Sequence, residues 1–271
     1  MRGPLHAKRE TRNQKPGAKK ERLDILVQRR FGVTRSKAQG LIHTNSVLGP
    51  GGEVLPKPGL RLAEDTPLTL RAGPRYVSRG GEKLGAALDH FGVDVQGSVA
   101  IDVGASTGGF TDCLLQRGAA RVYAVDVGRG QLAWALRQDP RVIVLERTNI
   151  RYLEPGRLPE RPGFFTADCS FISLRLVLPP LQALLADTAA GIVLIKPQFE
   201  AGRKHVEKGG VVRDGAVRAR VVQEVIEAAE GLGFASQGVI PSPLLGPAGN
   251  QEFLAYLTLR AWTAVHRFAK C

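Results

Sequence analysis

Residues 99–126 set a glycine-rich turn directly behind one apolar, strand-like run and close the next such run with an acid, an order that few folds accommodate. The first run is Val99-Ala100-Ile101-Asp102-Val103, the turn is Gly104-Ala105-Ser106-Thr107-Gly108-Gly109-Phe110, and a helical stretch follows. Asp126 stands 22 residues beyond Gly104. In open α/β sheets a ligand lies beyond the carboxyl ends of the strands, a glycine turn lets it approach closely, and an acid about 20 residues further on holds ribose hydroxyls. The stretch therefore describes a nucleoside cofactor site, with Asp102, the loop from Gly104 to Phe110 and Asp126 as its residues.

The rest of the chain keeps the alternation. Arg121–Val127, Val142–Glu146, Phe164–Ala167 and Gly191–Ile195 read as further strands between helical stretches, which predicts a mainly parallel sheet covered on both faces. Gly215–Leu232 carries Val221, Val222, Val225, Ile226 and Ala229 at helical spacing, then comes a Pro- and Gly-rich stretch, then a strand-like run from Glu252 to Leu259.

The turn lacks the G-x-G-x-x-G spacing that brings backbone up to a pyrophosphate. Asp102-x-Gly104-x-x-x-Gly108 is how S-adenosylmethionine sites begin. That cofactor carries no phosphate, so the loop has only to admit its methionine end and offer backbone N–H groups to the carboxylate.

Charge adds a partner class. The formal net charge is +13 over 271 residues, and a polyanion gains by releasing counterions to such a surface. The first 22 residues hold eight Lys or Arg against two acids and no apolar core of a leader, so 1–20 reads as a disordered basic arm. Apolar stretches such as Gly191–Ile195 fall far short of the roughly 18 residues of a membrane span. Cys113, Cys169 and Cys271 are odd in number and without C-x-x-C spacing, which implies neither a disulfide framework nor a zinc or other metal site, and a reducing cytoplasm fits. Cys113 reads as a small buried thiol.

Ahead of the sheet, Leu23, Leu26 and Val27 mark one short helix and Ala38, Leu41 and Ile42 a second, with Thr34 as the cap of the latter. Apolar spacing leaves Arg22, Arg29, Arg30, Arg35 and Lys37 on an exposed basic face. Val47-Leu48, Gly49–Gly52 and Glu53-Val54-Leu55 read as strand, turn, strand, with Leu68-Thr69-Leu70 as another short strand. The residues Arg22-Leu23-Asp24, Thr34–Ala38, Leu41-Ile42 and Lys57-Pro58-Gly59 resemble an S4 domain, an RNA-binding module, although Leu48–Gly52 departs from its usual turn. A protein-interaction helix pair is the competing reading. The domains expected are a small α+β unit over 21–71, a linker over 72–78, a Rossmann-like α/β methyltransferase unit over 79–262 and a tail over 263–271.

Four further residues carry a resemblance. Lys83 in Ser78-Arg79-Gly80-Gly81-Glu82-Lys83, Asp168 in Ala167-Asp168-Cys169-Ser170-Phe171-Ile172-Ser173, Lys196 in Ile195-Lys196-Pro197-Gln198-Phe199-Glu200, and Glu252 in Asn250-Gln251-Glu252-Phe253 match the Lys-Asp-Lys-Glu set of FtsJ-type ribose methyltransferases. From about residue 20 to 262 the chain resembles the TlyA family of rRNA 2′-O-methyltransferases, whose members are also called haemolysins. The resemblance implies methyl transfer from S-adenosylmethionine to a ribose 2′-hydroxyl of ribosomal RNA, with cytidine as target, and a closing antiparallel hairpin in the sheet. A ribose hydroxyl is a poor nucleophile that must lose its proton as it attacks. A lysine removes that proton only as a neutral amine, which burial and a neighbouring cation favour. Lys196 is the candidate base, Lys83 the second cation, and Asp168 and Glu252 orient the two amines; Asp168 is also a candidate cofactor contact. Arg79 and the run Gly202-Arg203-Lys204-His205 are candidate RNA contacts, the latter reading equally as a solvated loop. Two other readings are a non-catalytic S4-type ribosome-binding factor, against which the full set of four argues, and a membrane-active haemolysin, which would require an amphipathic or spanning segment.

Overall fold

The computed structural model describes residues 19–71 and 73–259. The expected arm, apart from Lys19 and Lys20, the expected tail and Cys271 lie outside the described residues. The chain divides into two units, Met1–Gly73 and Pro74–Cys271.

In the small unit, β1 (Lys20–Arg22) leads into α1 (Leu23–Phe31), which Gly32 ends in the left-handed conformation at φ 64°. α2 (Arg35–His43) begins where the Thr34 hydroxyl accepts from Lys37 N at 3.2 Å, the cap read from sequence. β2 (Val47–Leu48) follows, then β3 (Arg61–Ala63) and β4 (Thr69–Leu70). Leu23, Leu26, Val27, Ala38 and Ile42 are buried together with Val47, Leu55 and Leu68. Two pairings differ from expectation. β2 pairs with β4, whereas Val54 makes a single bridge to Leu48, because Pro56 and Pro58 offer no N–H to extend that hairpin. β1 pairs with β3, so Arg22 ends a strand and does not lie on a helix face.

The larger unit is built on one seven-stranded sheet. α3 (Arg79–Phe91) precedes β5 (Val99–Val103), and α4 (Gly109–Gln116), β6 (Arg121–Val125), α5 (Trp134–Arg137), β7 (Val142–Leu145), β8 (Phe164–Ala167), α6 (Leu174–Leu184) and β9 (Ala190–Ile195) follow. After the single turn of α7 (Pro197–Glu200) come α8 (Gly215–Gly231), β10 (Phe234–Pro241) and β11 (Phe253–Leu259). The strand order is β10-β11-β9-β8-β5-β6-β7; β5 to β9 run parallel, and β11 runs antiparallel to both β9 and β10. This is the mainly parallel Rossmann-like sheet expected from the sequence, closed by an antiparallel hairpin.

Both faces are apolar because neighbours in a strand point opposite ways. Ile101, Val103, Tyr123, Val125, Val193 and Ile195 pack with α6 and α8. Ala100, Val122, Ala124, Ile192 and Leu194 pack with α3 and α4, where Cys113 is fully buried as expected. The expected linker over 72–78 is only partly one. Tyr76 is buried, Val77 N donates to Asp112 Oδ2 at 2.8 Å, and Gln116 Nε2 donates to the Arg75 carbonyl at 2.8 Å, so this stretch is bound to α4.

Candidate active site

Pairing register puts the key residues in a row. Val103 lies beside Val125 on one side and Ala167 on the other, Ala167 beside Val193, and Ile195 beside Phe253. Gly104, Asp126, Asp168 and Lys196 follow the carboxyl ends of four adjacent parallel strands, and Glu252 precedes the neighbouring antiparallel one. Five residues scattered over some 150 positions thus meet at one edge of the sheet, the edge where open α/β sheets bind ligands.

Two ion pairs form there. Lys83, from the second turn of α3, places Nζ 2.5 Å from Glu252 Oε2. Lys196 Nζ lies 2.6 Å from Asp168 Oδ1 and donates to Ser170 Oγ at 3.0 Å. Gly246 is fitted over the first pair, since a Cβ there would come within 2.6 Å of Glu252 Oε1. All four residues line a cleft of about 610 Å³, together with Gly104, Ala105, Ser106, Thr107, Gly109 and Phe110 from the turn after β5. Arg79 is exposed on its wall.

A family model described as FtsJ-like methyltransferase matches residues 76–259. The chain belongs to the FtsJ-like methyltransferases. It is 51% identical over 243 residues, 89% of this chain and 86% of the other, to a Bacillus subtilis protein named as an rRNA methyltransferase, YqxC. It is 47% identical over 243 residues, 89% of this chain and 90% of the other, to the 16S/23S rRNA (cytidine-2′-O)-methyltransferase TlyA of Mycobacterium tuberculosis. A solved structure of a Streptococcus thermophilus protein named as a haemolysin superposes with a TM-score of 0.68 at 44% identity and 90% coverage of both chains.

S-adenosylmethionine is the cofactor of this methyltransferase family, and the residues present fit it. Gly104, at φ 82°, leaves no room for a side chain: a Cβ would stand 2.6 Å from the Asp168 carbonyl oxygen. The turn therefore runs tight against the loop after β8. Beyond it a second lobe of about 520 Å³ opens, sharing Gly104, Ser106, Asp168 and Phe171 with the first and lined by Asp126, Thr148 and Asn149. Asp126 accepts from Ser106 N at 2.8 Å and Gly128 N at 2.7 Å. A carboxylate has about four acceptor positions, so two remain for a vicinal diol.

Two residues expected to touch the cofactor do something else. Asp102 is fully buried beneath the turn; its oxygens accept from Thr111 at 2.7 Å and Thr166 at 2.8 Å, and burial raises its carboxyl to about 6. It ties β5 to α4 and β8 from below and does not line the cleft. Gly108, at φ 99°, packs on Leu132 and Leu136, where a Cβ would meet Leu136 at 2.3 Å.

The expected RNA-binding residues divide. Arg203 and Lys204 are exposed on a short turn (Arg203–His205) that does not line the cleft. In the small unit, Arg22 and Arg35 both reach the fully buried Asp24, at 3.0 Å and 3.1 Å, and Gln39 joins them at 3.1 Å. Arg22 above all holds that carboxyl well below the ordinary carboxylate range. Arg30 donates to the carbonyls of Thr66 and Glu64, and Arg29 stands 3.6 Å from Glu21. Lys37 is exposed.

Sequence reasoning missed Ser170, Phe171, Phe199 and Asn250, all on the cleft wall. Asn250 is 2% exposed and bridges two loops, accepting from Val212 N at 2.9 Å and donating to the Gly210 carbonyl at 2.7 Å. An asparagine among Pro, Ala and Gly gave no signal beyond its place beside Glu252.

Proposed function

We propose that this methyltransferase acts on ribosomal RNA, transferring a methyl group to the ribose 2′-hydroxyl of cytidine with Lys196 as the general base. The observation that carries the reading is the pairing of both lysines with acids inside the cleft that the cofactor turn also lines. Its relative at 47% identity bears the name of an rRNA (cytidine-2′-O)-methyltransferase, which supports ribosomal RNA as the substrate class and cytidine as the target nucleoside.

S-adenosylmethionine, when bound, supplies an electrophilic methyl group on sulfonium. Gly104 and its turn would admit the methionine end, and Asp126 would accept from the ribose hydroxyls of the nucleoside end. Lys196 Nζ, once it has released its own proton to solvent from the resting ion pair, takes the proton from the target 2′-hydroxyl as that oxygen bonds to the methyl carbon and the carbon–sulfur bond breaks, leaving a thioether. Asp168 and Ser170, at 2.6 Å and 3.0 Å, stabilise and aim the ammonium so formed. Lys83, fixed by Glu252, directs its remaining N–H bonds to the hydroxyl oxygen and holds it in line. The exposed Phe171, with Phe199 5.1 Å away centroid to centroid, offers an apolar wall to a splayed nucleoside. We assign the small unit as the S4-type RNA-binding module, with Arg29, Arg30 and Lys37 as phosphate contacts; Arg79, Arg203 and Lys204 serve the same role on the larger unit. Among the described residues no helix is long and apolar enough to cross a membrane.

Incubation of the protein with methyl-labelled S-adenosylmethionine and unmodified ribosomal subunits, followed by digestion to nucleosides, tests the reading. Labelled 2′-O-methylcytidine is the expected product. Label on a base, or on no RNA, overturns it.

A further inference from the structure

Glu200 is buried, 6% exposed, and takes no part in the chemistry above. It ends α7, the single turn that Lys196 caps at its other end. Its Oε1 accepts from Leu174 N at 2.7 Å and its Oε2 from Ser173 Oγ at 2.5 Å, while Arg175 Nε stands 3.7 Å away. Arg175 also donates to the Glu200 carbonyl at 3.3 Å. Burial pushes the Glu200 carboxyl up, and these donors work against that.

The partners of Glu200 are the residues where α6 begins, and so the far anchor of the loop over 168–173. The near end of that loop carries Asp168 and Ser170. Followed in order, the contacts close a ring: Lys196 through α7 to Glu200, across to Ser173 and Leu174, back along the loop to Ser170 and Asp168, and from these to Lys196 Nζ. Phe171 lies inside this loop at φ 64°, a conformation that a bulky residue keeps only when its surroundings hold it. Its ring leans on Phe199 of α7, 5.1 Å between centroids, which adds an apolar tie across the same ring. The Lys83–Glu252 pair lies outside it.

We propose that Glu200 is a positioning residue: by fixing the start of α6 to the end of α7, it holds Asp168 and Ser170 against Lys196 without touching either substrate. Its kinetic consequence rests on the reading of Lys196 as base, its structural consequence does not.

The test uses the full chain as wild type, Glu200→Ala and Glu200→Gln. Brief treatment with acetic anhydride and quantitative mass spectrometry give the modification rates of Lys196 and Lys83 in one sample. In Glu200→Ala the Lys196 rate rises on the order of tenfold, as expected for losing hydrogen bonds to a charged group, and the Lys83 rate stays at the wild-type value. Glu200→Gln stays close to wild type, because the amide oxygen still accepts from Leu174 N. In turnover on ribosomal subunits, Glu200→Ala lowers kcat by a similar factor with both KM values within about twofold, and Glu200→Gln restores it. An unchanged Lys196 rate overturns the proposal, as does a rise at Lys83 equal to that at Lys196, which marks general loosening. Wild-type protein that methylates no RNA overturns the function proposed above, and the ratio of the two lysine rates still decides the role of Glu200.

Discussion

The cleft, with the strand ends beneath it, has a dry floor and a wet rim, built from the same kinds of residue. On the floor, Glu252 is 1% exposed and held by a lysine at 9%, and Asp102 is 0% exposed and held by two threonines. On the rim, Asp168 is 25% exposed beside Lys196 at 11%, and Asp126 is half-buried with two acceptor positions free. An acid cut off from water needs a fixed partner for every lone pair that matters, since desolvation costs several kcal/mol that only good geometry offsets. An acid at the rim can exchange partners during a reaction. On the function proposed above, the floor fixes geometry and the rim binds and moves protons.

The largest effect expected is at the rim. Lys196→Ala lowers kcat by about 10²- to 10⁴-fold, the span ascribed to a lost general base, while isothermal titration finds cofactor affinity and thermal denaturation finds stability little changed. Retained turnover would move the base elsewhere and erase the distinction at its main point.

The floor answers differently. Lys83→Ala strands the Glu252 carboxylate in a dry site and costs about 3–5 kcal/mol of stability, read from urea unfolding, along with turnover. Lys83→Met combined with Glu252→Leu recovers most of the stability but not the turnover. A single variant as stable as wild type would show that water reaches Glu252 and that the floor is not dry.

Asp102 gives the floor a pH signature. Its folded-state carboxyl is raised from 3.8 to about 6 by burial, so between those values the folded protein binds more protons than the unfolded chain, and stability falls as pH rises through this window. A shift of about two units corresponds to about 3 kcal/mol. Asp102→Asn, with the same shape and no charge, removes that limb from the plot of unfolding free energy against pH. A plot that keeps it would assign the limb to another group.

How much of this was legible in the sequence depends on which force placed each residue. β5, β6, β8 and β9 could be read because they are buried on both faces and so run mostly apolar, with Asp102 and Thr166 as the polar exceptions inside them. β10 could not, because this edge strand carries Ser236, Gln237 and Gly238 at a bulge. Asp102 and Asp126 looked alike as strand-associated acids. Their difference is one of position: Asp102 lies within β5, where its neighbours on both strands exclude water, and Asp126 lies one residue past the end of β6. Arg22 and Arg35 looked like a basic face because apolar spacing assigns Asp24 no role, yet that acid is what they hold. Lys83 and Glu252 are 169 positions apart, and no periodicity joins residues at that distance. Only family resemblance placed them together.

The smallest effect expected is the one that locates the boundary between rim and floor. Asp126 already accepts two backbone N–H bonds, so part of its work is to shape the loops around Ser106 and Gly128. Asp126→Asn keeps an amide oxygen for one of those donors but cannot accept from both hydroxyls of a diol as a carboxylate does. Losing hydrogen bonds to a charged acceptor costs about 1.5–3 kcal/mol, so titration should find cofactor affinity about ten- to a hundredfold weaker in Asp126→Asn. At saturating cofactor kcat should stay within about twofold, because the residue stands away from the transferred group. Asp126→Ala should bind no better and lose some stability as well, through the two stranded N–H groups. If Asp126→Asn binds as tightly as wild type while Asp126→Ala does not, the carboxylate acts only on its own loop. Asp126 then belongs with Asp102, and the cofactor end of the cleft is floor throughout.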